Sequence, residues 1–146
     1  MAVYTGRTMG EAYRIGVSAG TGVAIGLVAA ALLARLPRGG VGAGVLAAVI
    51  ACVAGWIVFG WPEATAGAVG GLLGGVSTAN LARGSLRRGG TWSGTALLLV
   101  LSGVAVFLIA LIPVAGYLEA LALPIVAARA RRRAGEKYAG LRTLAR

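Results

Sequence analysis

Residues 64–82 read ATAGAVGGLLGGVSTANLA, and how this stretch is interpreted decides the fold. Gly67, Gly71 and Gly75 recur every four residues, and Gly70 and Gly74 form a second series beside them. Dense glycine can mark a phosphate-binding loop, but the chain has no GxxxxGKS or GxxxxGKT pattern. On a helix, four-residue spacing gathers each series on one face. Between helices in lipid there is no hydrophobic drive, so association rests on close van der Waals contact. Small residues at this spacing let two backbones approach. The stretch is therefore predicted to be a membrane helix, at the centre of a bundle or at a subunit interface. Gly16 with Gly20, and Gly22 with Gly26, repeat the pattern upstream.

Working outward, apolar runs cover 15–36 and 41–60 before this stretch, and 92–112 and 114–128 after it. All but the last reach the ~20 residues that cross a bilayer core. Hydrophobic residues make up 58% of the chain and charged residues 12%. A soluble domain carries about 25% charged residues. The expected fold is an all-α polytopic transmembrane bundle, 15–130, preceded by an outer segment, 1–14, and followed by a basic cytoplasmic tail, 131–146. Five spans are expected, or four if 114–128 re-enters or lies in the interface. Taken as one helix, 92–128 would be about 55 Å long, against a bilayer core of about 30 Å, so Pro113 must mark a break. The first run is longer than a usual signal-peptide core and reads as a retained helix. The fourth, with Leu97–Leu101 and Val106–Ile109, is bulky nearly all round and suits a lipid-facing position.

The charges orient the bundle. Of fourteen Lys and Arg, Arg7 and Arg14 fall on one side of the five-span arrangement. The other twelve, from Arg35 and Arg38 through Arg83, Arg87 and Arg88 to the tail, fall on the opposite side. Positive loops stay in the cytoplasm. The expected location is thus a prokaryotic cytoplasmic membrane, with the N-terminus outside and the C-terminus inside. Topology accounts for the net charge of +10 without nucleic acid as a partner. Arg129, Arg131, Arg132 and Arg133 are expected to contact anionic lipid headgroups or an acidic partner. The tail beyond Gly135 could form a short amphipathic helix through Tyr138, Leu141 and Leu144.

Few side chains offer chemistry. There is no histidine, which removes the commonest general base and metal ligand. The single cysteine, Cys52, lies in an apolar run and reads as a small buried residue. No nucleophile–base pair, metal cluster or cofactor motif stands out, so no enzyme, metal or cofactor is expected. Of the four acids, Glu11, Glu63 and Glu136 fall outside the apolar runs and are expected to be solvated. Glu119 lies inside the last run, where burial favours the neutral carboxyl and an ionisable group is a functional candidate. Its helical neighbours Ala115, Gly116, Ala122 and Leu123 leave room for another helix. Pro124 cannot donate to the carbonyl of Ala120, so a kink is expected beside it. Ser18 and Thr21 lie at a similar depth in the first span and complete a candidate intramembrane polar site with Glu119. The plainer reading is a carboxyl near the outer interface, reached by water or paired with an arginine. At the inner end of the glycine helix, Asn80 caps or hydrogen-bonds the helix end before Arg83, the alternative being a bond to a neighbouring helix.

The stretch from Gly67 to Arg83 resembles subunit I of bacterial ATP synthases, small helical membrane proteins with a glycine-repeat helix ending in Ser-x-x-Asn and an arginine. Here those residues are Gly70, Gly71, Gly74, Gly75, Ser77, Asn80 and Arg83. The resemblance extends over 67–133 through a basic loop, an apolar span and a last helix with a basic tail. This chain adds an N-terminal span, and its glycine spacing is shifted by one residue. The resemblance implies a role in rotor-ring assembly or in supplying cations to the synthase. Taken together, the sequence predicts a small membrane protein acting by helix association, an accessory or assembly subunit in a homo- or hetero-oligomer. The alternative is a homo-oligomeric ion channel or transporter using Glu119.

Overall fold

The computed structural model describes residues 2–36, 38–112 and 114–143, and does not describe the side chains of 2–8, 131 and 134–143. Five helices follow one another: α1 (Ala2–Leu33), α2 (Gly39–Val58), α3 (Trp61–Arg87), α4 (Trp92–Ala110) and α5 (Ala115–Thr143). The protein is all-helical among the described residues. Three helices are long and apolar enough to cross a membrane: Met9–Leu33 of α1, then α2, then α4. The expectation of five such spans is thus met by three. α3 carries Glu63, Ser77, Thr78, Asn80 and Arg83 as well as its glycines, which lowers its hydropathy. The apolar part of α5 is short and runs into a cluster of arginines.

Neighbouring contacts give each helix a direction. Gly70 of α3 sits against Ala19 of α1 and Gly74 against Val23, so α1 and α3 are parallel. Gly67, Gly71 and Gly75 sit against Ala51, Ala47 and Ala43, so α2 runs antiparallel to α3. Gly103 of α4 meets Ala24 and Val28 of α1 while Ala110 meets Gly20, again antiparallel. Gly116 against Gly16 and Glu119 against Gly20 start α5 in the direction of α1. The helices therefore alternate in direction. Both turns bearing Arg35, Arg38, Arg83, Arg87 and Arg88 lie at one end, where Arg83 Nη2 donates to the Leu36 carbonyl at 3.1 Å.

α1 and α3 form the centre of the bundle, and each touches all four other helices. Of the apolar window in α1, 67% is buried, against 28% for α2 and 11% for α4. The core is built from small side chains. Ala29, Ala30, Ala43, Ala47 and Ala79 cluster together, with Ile25 and Leu33 packed against them. Large apolar side chains instead point outward, including Leu97, Leu98, Leu101 and Leu108 on α4 and Val45, Val49, Trp56 and Ile57 on α2. That inside-out distribution suits lipid as the surrounding solvent, where backbones approach through small residues.

Several boundaries differ from the sequence expectation. The 1–14 segment is helical from Ala2 onward, continuing α1 rather than standing apart. α3 runs to Arg87, past the expected helix end at Ala82, which leaves only a short turn before α4. Asn80 hydrogen-bonds its own helix, as one of its expected roles, but inside it rather than at its end: its Nδ2 donates to the Val76 carbonyl one turn back at 2.7 Å. α5 continues through Pro124 as one helix to Thr143, with no separate helix after Gly135. Two turns require unusual backbone. Gly60, between α2 and α3, has φ 126°, and Val114, between α4 and α5, has φ 73°. For a β-branched residue the latter is a strained conformation.

Candidate functional site

The candidate site is assembled where α5 begins. Gly16, Gly20 and Gly116 bring α1 and α5 into backbone contact, since a Cβ on Gly116 would collide with the Gly16 carbonyl. Two tyrosines fasten this crossing. Tyr13 Oη donates to the Leu111 carbonyl at 2.9 Å, and Tyr117 Oη donates to the Ala12 carbonyl at 2.6 Å. The Tyr117 ring lies over Gly16, where a Cβ would come within 2.7 Å of it. A larger residue at Gly16 would therefore displace the ring and loosen α5 at its start.

Glu119 is one turn further along α5. Its Oε2 lies over Gly20, 2.9 Å from where a Cβ would stand. Both carboxyl oxygens are buried and lack a hydrogen-bond partner among the described residues. A buried polar group without a partner is costly, so the absence of glycine side chains admits the carboxyl but does not satisfy it. Separately, Ile15, Ala19, Val69, Leu73, Tyr117 and Leu121 line a groove of about 550 Å³ between α1, α3 and α5, and Glu119 is not part of its lining.

The expected companions of Glu119 are engaged elsewhere. Ser18 Oγ donates to the main-chain carbonyl of Glu63 on α3. Thr21 lines a different groove, between α1 and α4, with Val28, Gly103 and Phe107. The structure therefore does not gather Ser18, Thr21 and Glu119 into one polar site.

Glu63 is the residue that sequence reasoning misplaced. Expected to be solvated, its side chain is only 5% exposed, and its Oε1 lies 3.6 Å from Nε of Arg14, which is 46% exposed. It is covered because α1 continues past the expected start of its span and lays Arg14 over the first turn of α3. A usable signal existed: Arg14 and Ser18 are four residues apart and so share a helix face. With α1 beside α3, that face meets Glu63 twice, once by its carboxyl and once by its carbonyl.

Both glycine series are consumed inside the chain. Gly67, Gly71 and Gly75 receive Ala51, Ala47 and Ala43 of α2, while Gly70 and Gly74 receive Ala19 and Val23 of α1. Gly22 and Gly26 complete the α1–α3 contact against the backbone of Gly67, Gly71 and Gly75. Cys52 is half-buried on α2. Arg129, Arg132 and Arg133 are exposed on α5, and the side chain of Arg131 lies outside the described residues, as do those of Glu136, Tyr138, Leu141 and Leu144. No group of three or more metal-ligating side chains occurs among the described residues. Comparison of the chain with protein-family models, with curated proteins and with solved structures finds no match.

Proposed function

We propose that this chain is a small non-enzymatic protein of a prokaryotic cytoplasmic membrane, serving as an accessory or assembly subunit of a larger membrane complex. In this reading all five helices cross or enter the bilayer, with the N-terminus outside and the basic end in the cytoplasm. The alternating helix directions and the shared end of the arginine-bearing turns support that orientation. Although not apolar enough alone, α3 is shielded from lipid by α1 and α2.

One observation carries the functional reading: the open apolar groove between α1, α3 and α5. A helix from another subunit could fill that groove. The glycine series do not serve this purpose, because they are occupied within the chain. If the resemblance to subunit I holds, the larger complex would be an ATP synthase. The test is native electrophoresis of the tagged chain, expressed at its natural level and extracted in mild detergent. Co-migration with a larger complex, weakened by Val69→Trp, which fills the groove, supports the reading; a chain that runs alone refutes it.

The buried carboxyl of Glu119, which has no hydrogen-bond partner among the described residues, supports a second reading, an oligomeric channel or transporter in which Glu119 exchanges protons or binds a cation. That reading requires flux in liposomes holding the chain alone, changed by Glu119→Gln. Absence of flux in both forms would remove it.

A further inference from the structure

At the basic end of the bundle, Arg35, Arg83 and Arg87 converge on a pocket of about 250 Å³ whose other walls are Ala34, Leu36 and Leu86. Among the described residues no carboxylate lines it, and the one ion pair, Arg14–Glu63, involves none of the three. Each arginine comes from an element fixed by other contacts. Arg83 donates to the Leu36 carbonyl and lies over Gly39 and Gly40, where a Cβ would crowd its guanidinium at 3.3–3.4 Å. Arg35 stacks on the Trp92 ring, 4.9 Å from its centroid. Arg87 closes the last turn of α3.

Three like charges held together around a partly apolar pocket call for an anion. The depth of the pocket indicates which anion. The three membrane-competent helices all have an end here: α1 stops at Leu33, α2 starts at Gly39 and α4 starts at Trp92. The pocket therefore lies at headgroup level. A tryptophan is the residue expected there.

An apolar groove of about 350 Å³ lies deeper along the same line, between α1 and α4, lined by Thr21, Ala24, Ile25, Val28, Val104 and Phe107. Thr21 and Val28 are seven residues apart on α1, and Arg35 continues that spacing just past the helix end. Seven residues are two helical turns, so the groove lies directly beneath Arg35, with Val28 about 10 Å below it. Gly103 keeps the groove shallow, because it carries no side chain where α4 crosses Ala24 and Val28.

We propose that the Arg35–Arg83–Arg87 pocket binds the phosphate of an anionic glycerophospholipid, one acyl chain of which lies in the α1–α4 groove. The guanidinium groups supply charge-assisted donors to the phosphate oxygens, and the groove supplies apolar surface to the chain. The proposal rests on the membrane location of the protein and not on its accessory role.

The test is native mass spectrometry of the intact chain in mild detergent, titrated with phosphatidylglycerol, phosphatidylcholine or inorganic phosphate. One phosphatidylglycerol is expected to bind about ten-fold more tightly than phosphatidylcholine. Arg35→Gln and Arg87→Gln should each weaken it by about five-fold, and Val104→Trp, which fills the groove, should weaken it as well. Arg88→Gln and Arg129→Gln, outside the pocket, should leave it unchanged. Using two pocket variants, each checked by its circular-dichroism melt, keeps the test decisive if one fails to fold. Equal retention of phosphatidylcholine overturns the proposal, as does an equal loss in Arg88→Gln. A silent Val104→Trp with displacement of the lipid by inorganic phosphate would show an anion pocket without a lipid chain, and also overturns it.

Discussion

Replacing Gly71 by alanine sets two effects of known sign against each other. Alanine is favoured over glycine in a helix interior by about 1 kcal/mol. At Gly71, however, the new Cβ would lie 2.6 Å from the Ala47 carbonyl oxygen and 2.7 Å from its carbon. Neither atom belongs to a side chain that can rotate away, so α2 and α3 must part by several tenths of an ångström. A gap of about 0.5–1 Å forfeits a quarter to a half of each contact across it, and overpacking of this kind costs about 1–3 kcal/mol. Setting the propensity gain against that loss leaves Gly71→Ala less stable by about 1 kcal/mol. Gly75→Ala faces the same geometry against Ala43, at 2.7 Å. Because one separation of the helices relieves both contacts, the double variant should lose less than the sum of the single losses. Gly10→Ala is the control, since a Cβ there meets nothing within 4 Å. It should gain stability. The assay is unfolding by sodium dodecyl sulfate titrated into a mild detergent, followed by the fluorescence of Trp56 and Trp61, whose rings stack at 5.4 Å across the α2–α3 turn. A Gly71→Ala protein as stable as Gly10→Ala would refute the close-packing account.

Thr78→Val should stabilise the bundle by about 1–3 kcal/mol in the same titration, because the Thr78 hydroxyl is buried without a partner among the described residues and valine keeps its shape; a loss of stability would mean that the hydroxyl is satisfied. Arg14→Gln should cost about 1 kcal/mol by leaving the Glu63 carboxylate covered and unpaired, an amount kept small by the exposure of Arg14. The Arg14→Gln, Glu63→Gln double variant should recover part of that loss, and strict additivity would argue against the pair. Val114→Gly should raise stability by about 1 kcal/mol by relieving a β-branched residue at φ 73°. An unchanged midpoint would show that the turn is not strained.

The helical stretches and their small-residue spacing were legible in the sequence because glycine at every fourth position has one strong meaning in an apolar run. Which face met which helix was not legible. Gly67, Gly71 and Gly75 differ from Gly70 and Gly74 by one step of helix rotation, and only the arrangement of three helices sends the first series to α2 and the second to α1. The polar ends were read less well. Residues 2–14 carry no apolar period that would announce a helix, and the spacing of Arg14 and Ser18 placed Arg14 over Glu63 only once α1 was known to lie beside α3. The grouping of Ser18 and Thr21 with Glu119 assumed that equal depth means proximity. On α1 those side chains point to α3 and α4, and only Gly20 faces the carboxyl. Arg35, Arg83 and Arg87 served the topology argument as loop charges, and their convergence depends on α3 running one turn beyond Arg83.

The parallel pairing of α1 with α3 bears on the order in which the bundle can be assembled during synthesis. The surfaces that fit most closely belong to helices separated in the chain by the whole of α2. When α1 and α2 have emerged, Gly22 and Gly26 have no partner, and the two helices already present leave a cleft edged by Ala43, Ala47 and Ala51. α3 is too polar to be held by lipid alone, and its glycine faces match that cleft on both sides. If α3 enters the bilayer as proposed, the first two helices would act as the receiver for the third, and a lesion in α1 or α2 would show itself first as a failure of α3 to enter.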